Sequence, residues 1–301
     1  MTRVTKVLKL PKVKKKGCYT VRGRVLCVKI AIFDEAKYFR YIKHPIHTSH
    51  FFMSHATRKR WNYLLRARHR KGHGIHSPYL FRLITEVMEN EGHFSVYPLL
   101  KEAHMNVRDM IRILDVESYR QLNPTVKGFR PKWDWKQYLL PERFDRLLFR
   151  MVNEFQPQST SFYGSTFGTT LLALALADRR RRVKAQVEND HFRSFSRRLV
   201  EAYEVRNIDL TGEGSVDASD FAVVLNPTDP DKCDEILAQI FAGKDFHGVA
   251  VLCGVHTSPE MEEVWSRHKV NPVVRVSLDL FEMGIFICRE GLQKENFVLR
   301  F

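Results

Sequence analysis

Apolar residues change their period along this 301-residue chain. From Pro141 onward, helix-period segments alternate with short, almost uninterrupted apolar runs. Phe144, Leu147, Leu148, Met151, Val152 and Phe155 share one helical face. SFYGS follows as a strand, then Gly168 and the helix TTLLALALA. VKAQV is the next strand, and the helix behind it carries Phe192, Phe195, Leu199 and Tyr203, with Asp190 as its predicted cap. FAVVLN, the helix DEILAQIF ending at Gly243, VAVLCGV, a helix from Ser258–Pro259 through Trp265, VVRVSLDLF, MGIFICR and ENFVLRF complete the series. Strands buried on both faces and separated by helices predict an α/β fold, a Rossmann-like doubly wound sheet. The closing runs have no helix between them, so the C-terminal edge is expected to be antiparallel.

Upstream the period is helical. Residues 53–140 are expected to form an N-terminal helical cap ahead of the sheet domain, 141–301. RKRWNYLLRARH, from Arg58 to His69, sets Trp61, Leu64 and Leu65 on one face, and Gly72 and Gly74 break that helix. Ser77 followed by Pro78 is a start signal, a side-chain oxygen for orphan N–H groups with proline at the first helical position. Leu80, Phe81, Ile84, Val87 and Met88 continue it, one or two helices with Val107, Ile111 and Leu114 follow, and GFRPKWDWKQYLLP reads as a linker. Residues 1–52 alternate from Tyr19 to Phe33, enough for a short hairpin or two, but no core accompanies them. They read as a basic extension, disordered or an over-called start with Met53 the true one; the alternative is an arm that touches phosphates or acidic lipid.

Charge divides the chain in the same way. Its net +15 comes from 49 Lys+Arg against 34 Asp+Glu, and residues 1–77 hold 20 of those cations with only two acids, Asp34 and Glu35. The remainder is slightly acidic, so nucleic acid is not an expected partner for 78–301, and only a weak contact by 1–77 is left open. No apolar run approaches the roughly 18–20 residues of a spanning helix. Five cysteines without paired spacing, among them Cys253 and Cys288 in apolar runs, point to a reducing cytoplasm.

In a doubly wound sheet the ligand site lies at the carboxyl ends of the central strands. The first strand–turn–helix is Ser161-Phe162-Tyr163-Gly164-Ser165-Thr166-Phe167-Gly168-Thr169. Gly164 permits close backbone approach, and Gly168 opens a helix whose N–H groups favour negative charge. The G-x-x-x-G spacing is not the G-x-G-x-x-G of a dinucleotide site, and a tight turn without a ligand explains it too. Glu188 follows the second strand, where an acid accepts ribose hydroxyls; it also suits a helix N-terminus beside Asp190. No G-x-S-x-G elbow occurs, which removes that class.

The chain from Arg58 to Phe301 resembles the class I S-adenosylmethionine-dependent methyltransferases, in particular a bacterial group common in Bacteroidetes. The residues that carry the resemblance are KGHGIHSPYLF, EFQP with the Gly164–Gly168 turn, and MEEVW…VSLDLFEMGIFICRE…FVLRF. The resemblance implies S-adenosylmethionine as cofactor, cradled by Gly164, Ser165, Thr166 and Gly168, with Glu188 on its ribose and Asn226 lining the acceptor side. It also exposes degenerate motifs. Phe162 stands where the family carries an acid two before the first glycine, Leu225–Asn226 replaces an Asp-Gly pair, and Cys253–Gly254 replaces an Asp-Asp pair before Val255 and His256. A phenyl ring at Phe162 offers at most a cation–π face to a sulfonium. His256 is left as the titratable group at that strand end and the candidate base; a helix cap is its ordinary alternative. His73 and His76 either face substrate or shape a turn. Cys18 and Cys27 with His44, His47, His50 and His55 lack ligand spacing, so no metal is expected. Two functions follow: methyl transfer from S-adenosylmethionine to a small-molecule acceptor, or a catalytically inactive methyltransferase-fold protein that acts as a binding or scaffold module.

Overall fold

The computed structural model describes residues 17–21, 24–28, 59–60, 63, 65, 67, 75–90, 92–122, 135–212, 214–216, 219–226, 228–242 and 246–301. The expectations for Trp61, Leu64, Gly72, His73, Gly74, Gly243 and the four upstream histidines lie outside these residues. The chain divides into two compact units, Met1–Phe52 and Met53–Phe301. In the first, Gly17–Val21 pairs antiparallel with Arg24–Val28, Cys18 opposite Cys27.

Three described α-helices precede the sheet in the second unit. Helix α1 (Pro78–Arg82) starts where the Ser77 hydroxyl accepts from the Leu80 N–H at 3.4 Å, and it runs on into a π-helical turn, Leu83–Met88. Leu80, Leu83, Ile84, Val87 and Met88 are buried, while Phe81 is 46% exposed and off the predicted face. Residues Tyr97–Leu122 form one long helix, α2, and Glu142–Phe155 forms α3. The buried Arg150 guanidinium joins the three, donating to the Val87 and Met88 carbonyls and to the Tyr97 hydroxyl. It satisfies carbonyls that a helix end would otherwise leave without partners.

The sheet strands are β1 (Thr160–Gly164), β2 (Val183–Gln186), β3 (Ile208–Thr211), β4 (Phe221–Leu225), β5 (Val249–Cys253), β6 (Val276–Asp279), β7 (Met283–Ile287) and β8 (Glu295–Val298). Their order is β8-β6-β7-β5-β4-β1-β2-β3. Helix α4 (Thr169–Ala177) follows β1, α5 (Asp190–Ala202) follows β2, α6 (Pro230–Ala242) follows β4, and α7 (Pro259–Lys269) follows β5. Strands β1 to β5 are parallel, and β7 runs antiparallel to both β5 and β6. The antiparallel edge expected from the missing helices is therefore carried by β7, while the outermost strand β8 pairs in parallel with β6.

Alternation along the strands sorts side chains between two cores. Phe162 and Leu225 face the side covered by α3 and α4, where Leu147, Leu148, Leu171 and Leu174 also pack. Tyr163, Ala222 and Val224 face α6 and α7. Leu100 and Ala103 of α2 pack with Leu172 and Leu176 of α4, so the upstream helices and the sheet share a continuous apolar interior.

Three details differ from the sequence expectation. Strand β3 is half-buried at the sheet edge, and its short alternation of Ile208 and Leu210 with Asp209 and Thr211 is too weak to stand out alone. The cap of α5 is Asn189, whose side chain accepts from the His191 and Phe192 N–H groups at 3.0 and 3.3 Å, and Asp190 is the first helical residue. Leu65 is 73% exposed, and Tyr63 and Ala67 turn inward instead.

Candidate functional site

The strand order reverses between β1 and β4, and a cleft opens there. Gly164, Ser165, Glu188 and Asn226 line it, together with Tyr163, Gln186, Gly214, Ser215, Val216, Lys232 and Glu235. Four of the seven residues proposed from sequence thus meet at one crevice. The remaining three, Thr166, Gly168 and His256, lie elsewhere.

The glycine turn is shaped chiefly by its own packing. Gly164 has φ +121°, and a Cβ there would stand 2.2 Å from the Leu225 carbonyl oxygen. No side chain fits, because β1 and β4 approach too closely, whether or not a ligand is near. The Ser165 N–H donates to that same carbonyl at 2.9 Å. Gly168, at φ +101°, faces the Ser196 backbone and the Leu199 side chain of α5. Its N–H donates to the Thr166 hydroxyl at 3.1 Å, and the Thr166 carbonyl accepts from Ser196 Oγ at 2.8 Å. Phe167 is buried against Phe192 and Phe195. Thr166 and Gly168 therefore lock α4 onto α5, and the N–H of Gly168 is already engaged within the turn.

Glu188 is held differently. Arg193 donates to the Val187 and Glu188 carbonyls at 2.8 and 3.1 Å, which fixes the chain just after β2. The Glu188 carboxylate stands 3.5 Å from Lys232 Nζ, and Lys232 lies equally close to Glu235. Glu188 raises the Lys232 pKa above its ordinary value, with Glu235 adding to the effect and slight burial opposing it. Sequence reasoning missed Lys232, Glu235, Ile236 and Gln239, although their spacing marks one face of α6. Gln186, whose amide donates to the Gly214 carbonyl at 2.9 Å, shows no such signal; pairing between β2 and β3 brings it there.

Three of the strand positions singled out by the resemblance lie in the core. Phe162, Leu225 and Cys253 are fully buried. The Phe162 ring thus has no free face to offer a cation, which corrects the expectation from sequence. Burial pushes the Cys253 thiol well above its ordinary pKa, with Asp145 adding to the rise. Gly254 takes φ +78° and donates its N–H to the Glu282 carbonyl at 2.7 Å.

His256 does not line the cleft. Its Nδ1 lies 2.7 Å from Glu262 and its Nε2 2.9 Å from Asp279, so a carboxylate engages each ring nitrogen. Burial alone would lower its pKa, but the two carboxylates outweigh it and the pKa is raised. A doubly bonded imidazolium has no lone pair left to take a proton, so the geometry does not suit a general base. Lys59 lies 2.7 Å from Glu262 and extends the cluster. Among the described residues no group of acids, histidines and cysteines has metal-site geometry.

The SAH-bound methyltransferase PaMTH1 of Podospora anserina superposes on this chain with a TM-score of 0.50 at 11% identity, over 72% of this chain and 97% of that one. The chain has the class I methyltransferase fold. Weaker likenesses to this fold include the O-methyltransferase from Bacillus cereus in complex with SAH, at a TM-score of 0.44 and 12% identity over 67% and 95% of the two chains. Another is the O-methyltransferase TomG from Streptomyces achromogenes in complex with SAM, at 0.43 and 14% over 66% and 91%. No family model and no curated protein sequence matches the chain. Among the described residues no helix is long and apolar enough to cross a membrane.

Proposed function

We propose that the chain binds S-adenosylmethionine in the cleft between β1 and β4 and transfers its methyl group to a small-molecule acceptor. The observation that carries this reading is Glu188, which lines the crevice at the switch point with its backbone carbonyl held by Arg193. The residues present fit the nucleoside half of the cofactor. Glu188 accepts ribose hydroxyls, while Ser215, Val216 and Asn226 bound the space beside them. The fit is poorer at the amino-acid end, since Phe162 places no acceptor near an ammonium group.

When bound, the cofactor supplies a methyl group already activated on a sulfonium. The protein's part is then alignment and exclusion of water, which needs few catalytic side chains. In this reading Gly164 and Ser165 form the floor of the site, Thr166 and Gly168 keep that floor rigid, and His256 serves the fold rather than the reaction.

A specific observation favours a second reading, a binding module without catalysis. Phe162, Leu225 and Cys253 are sealed in the apolar interior, and Lys232 already occupies the Glu188 carboxylate. Calorimetric titration of S-adenosylmethionine and S-adenosylhomocysteine into the full chain separates the possibilities. Micromolar binding that Glu188→Ala weakens by about 1–3 kcal/mol supports the cofactor site. No binding up to millimolar concentration removes it and leaves the binding-module reading.

A further inference from the structure

A second pocket lies at the carboxyl ends of β6 and β8, lined by Arg60, Tyr63, Arg143, Leu280, Phe281, Arg300 and Phe301. It shares an edge of the sheet with the cleft but lies beyond β5 and β7 in strand order. Three arginines and three aromatic rings around one cavity are an unusual surface for a domain whose remaining charge is near balance.

The arginines are poorly neutralised. Arg60 has Glu282 at 3.3 Å, and Arg143 and Arg300 have no acidic partner among the described residues. The nearby acid Asp279 is committed to His256 and to the Phe281 N–H, which it accepts at 2.9 Å. Both Arg143 and Arg300 act on the Tyr63 hydroxyl, whose proton goes to the Leu299 carbonyl. Both arginines line the same cavity as Tyr63.

The rings hold this arrangement. Arg60 lies 5.7 Å from the centre of the Phe281 ring, and Arg143 lies 4.9 Å from Phe144 and 5.9 Å from Phe301. Stacking of this kind limits the motion of a guanidinium while leaving its N–H edge open. Phe281 itself has φ +71°, in the left-handed region that a bulky residue avoids. Stacking on His256 at 5.1 Å and a tilted contact with Tyr63 at 5.2 Å hold the ring there.

We propose that this pocket binds an organic anion with a flat apolar body, its carboxylate or phosphate held by Arg143 and Arg300 and its body laid against Phe301. The inference rests on these residues and not on the cofactor reading, so its test is made without cofactor. Phenyl phosphate, benzoate, inorganic phosphate and benzyl alcohol are titrated into the full chain by calorimetry. Phenyl phosphate or benzoate is expected to bind at least about tenfold more tightly than inorganic phosphate or benzyl alcohol, since charge and ring act together. The tighter of the two identifies the anionic group as phosphate or carboxylate. Arg143→Gln with Arg300→Gln, both at exposed positions, is expected to lower that affinity at least about tenfold, while Arg112→Gln, outside the pocket, leaves it unchanged. Three results would each overturn the proposal: neither aromatic anion binds, inorganic phosphate or benzyl alcohol binds equally well, or the double variant binds as the parent does.

Discussion

Around the ends of β1, β4 and β5 the chain places Phe162, Leu225 and Cys253 in a dry interior, whereas around the ends of β6 and β8 it gathers Asp279, His256, Glu262 and three arginines. Both regions belong to one edge of one sheet. In the first, apolar side chains fill the interior, and the turn from Gly164 to Gly168 packs directly on β4 and α5. In the second, His256 pairs with both Glu262 and Asp279, so these buried groups stand next to a cavity without the penalty of unpaired burial, while Arg143 and Arg300 stay exposed. Position along the carboxyl edge therefore does not by itself decide where chemistry can occur; the local ability to solvate or pair charge does.

The sharpest way to break this comparison is at Gly164. Gly164→Ala would drive a methyl group into the Leu225 carbonyl and force a residue at φ +121°, so we expect a loss of about 3 kcal/mol or more in urea unfolding. Unchanged stability with lost binding of S-adenosylmethionine would instead make this glycine a ligand contact.

His256→Gln tests the charged end and should cost about 1–3 kcal/mol near pH 6. The sign of its pH dependence follows from the raised pKa of His256 in the fold. Its contribution is fully present below the unfolded value of about 6.5 and is lost as pH rises through the folded value. Glu262 behaves oppositely. Burial works to raise its pKa, but Lys59 and His256 outweigh that and lower it, so its contribution is present above its unfolded value and is lost as pH falls through the folded one. Parent and variant should therefore converge in stability toward alkaline pH, measured as melting temperature from pH 5 to about 9. A constant difference across that range would show that the imidazole contributes by packing on Phe281 alone.

The smallest effect is expected at Lys232. Its pairing with Glu188 is half-exposed, so Lys232→Met should change stability by less than about 1 kcal/mol. If the lysine competes for the Glu188 carboxylate, affinity for S-adenosylmethionine rises by up to about fivefold in calorimetry. A fall in affinity would identify Lys232 as a cofactor contact instead.

Much of the fold was legible in the residues themselves. TTLLALALA coincides with α4, Ser77–Pro78 and Ser258–Pro259 open α1 and α7, and the buried strands stand out as apolar runs. These are local features, since capping, period and turn chemistry involve neighbours a few positions apart. The candidate cleft was only half legible. Glu188 and the glycine turn follow strands, so topology alone predicts their neighbourhood, but Lys232 enters from a helix 44 positions further on. Nothing in the local pattern says that it ends beside Glu188.

Sequence by itself determined the alternation of helix and strand, the doubly wound class and the division between a basic N-terminal quarter and a nearly neutral remainder. Tertiary structure decided which face Phe162 takes, that β8 joins β6 in parallel, that both nitrogens of His256 are engaged, and that Arg60, Arg143 and Arg300 meet at one pocket. The physical reason is range: hydrogen-bonded turns and amphipathic period act within a few residues, whereas charge pairing and cavity formation depend on groups that only the closed sheet brings together.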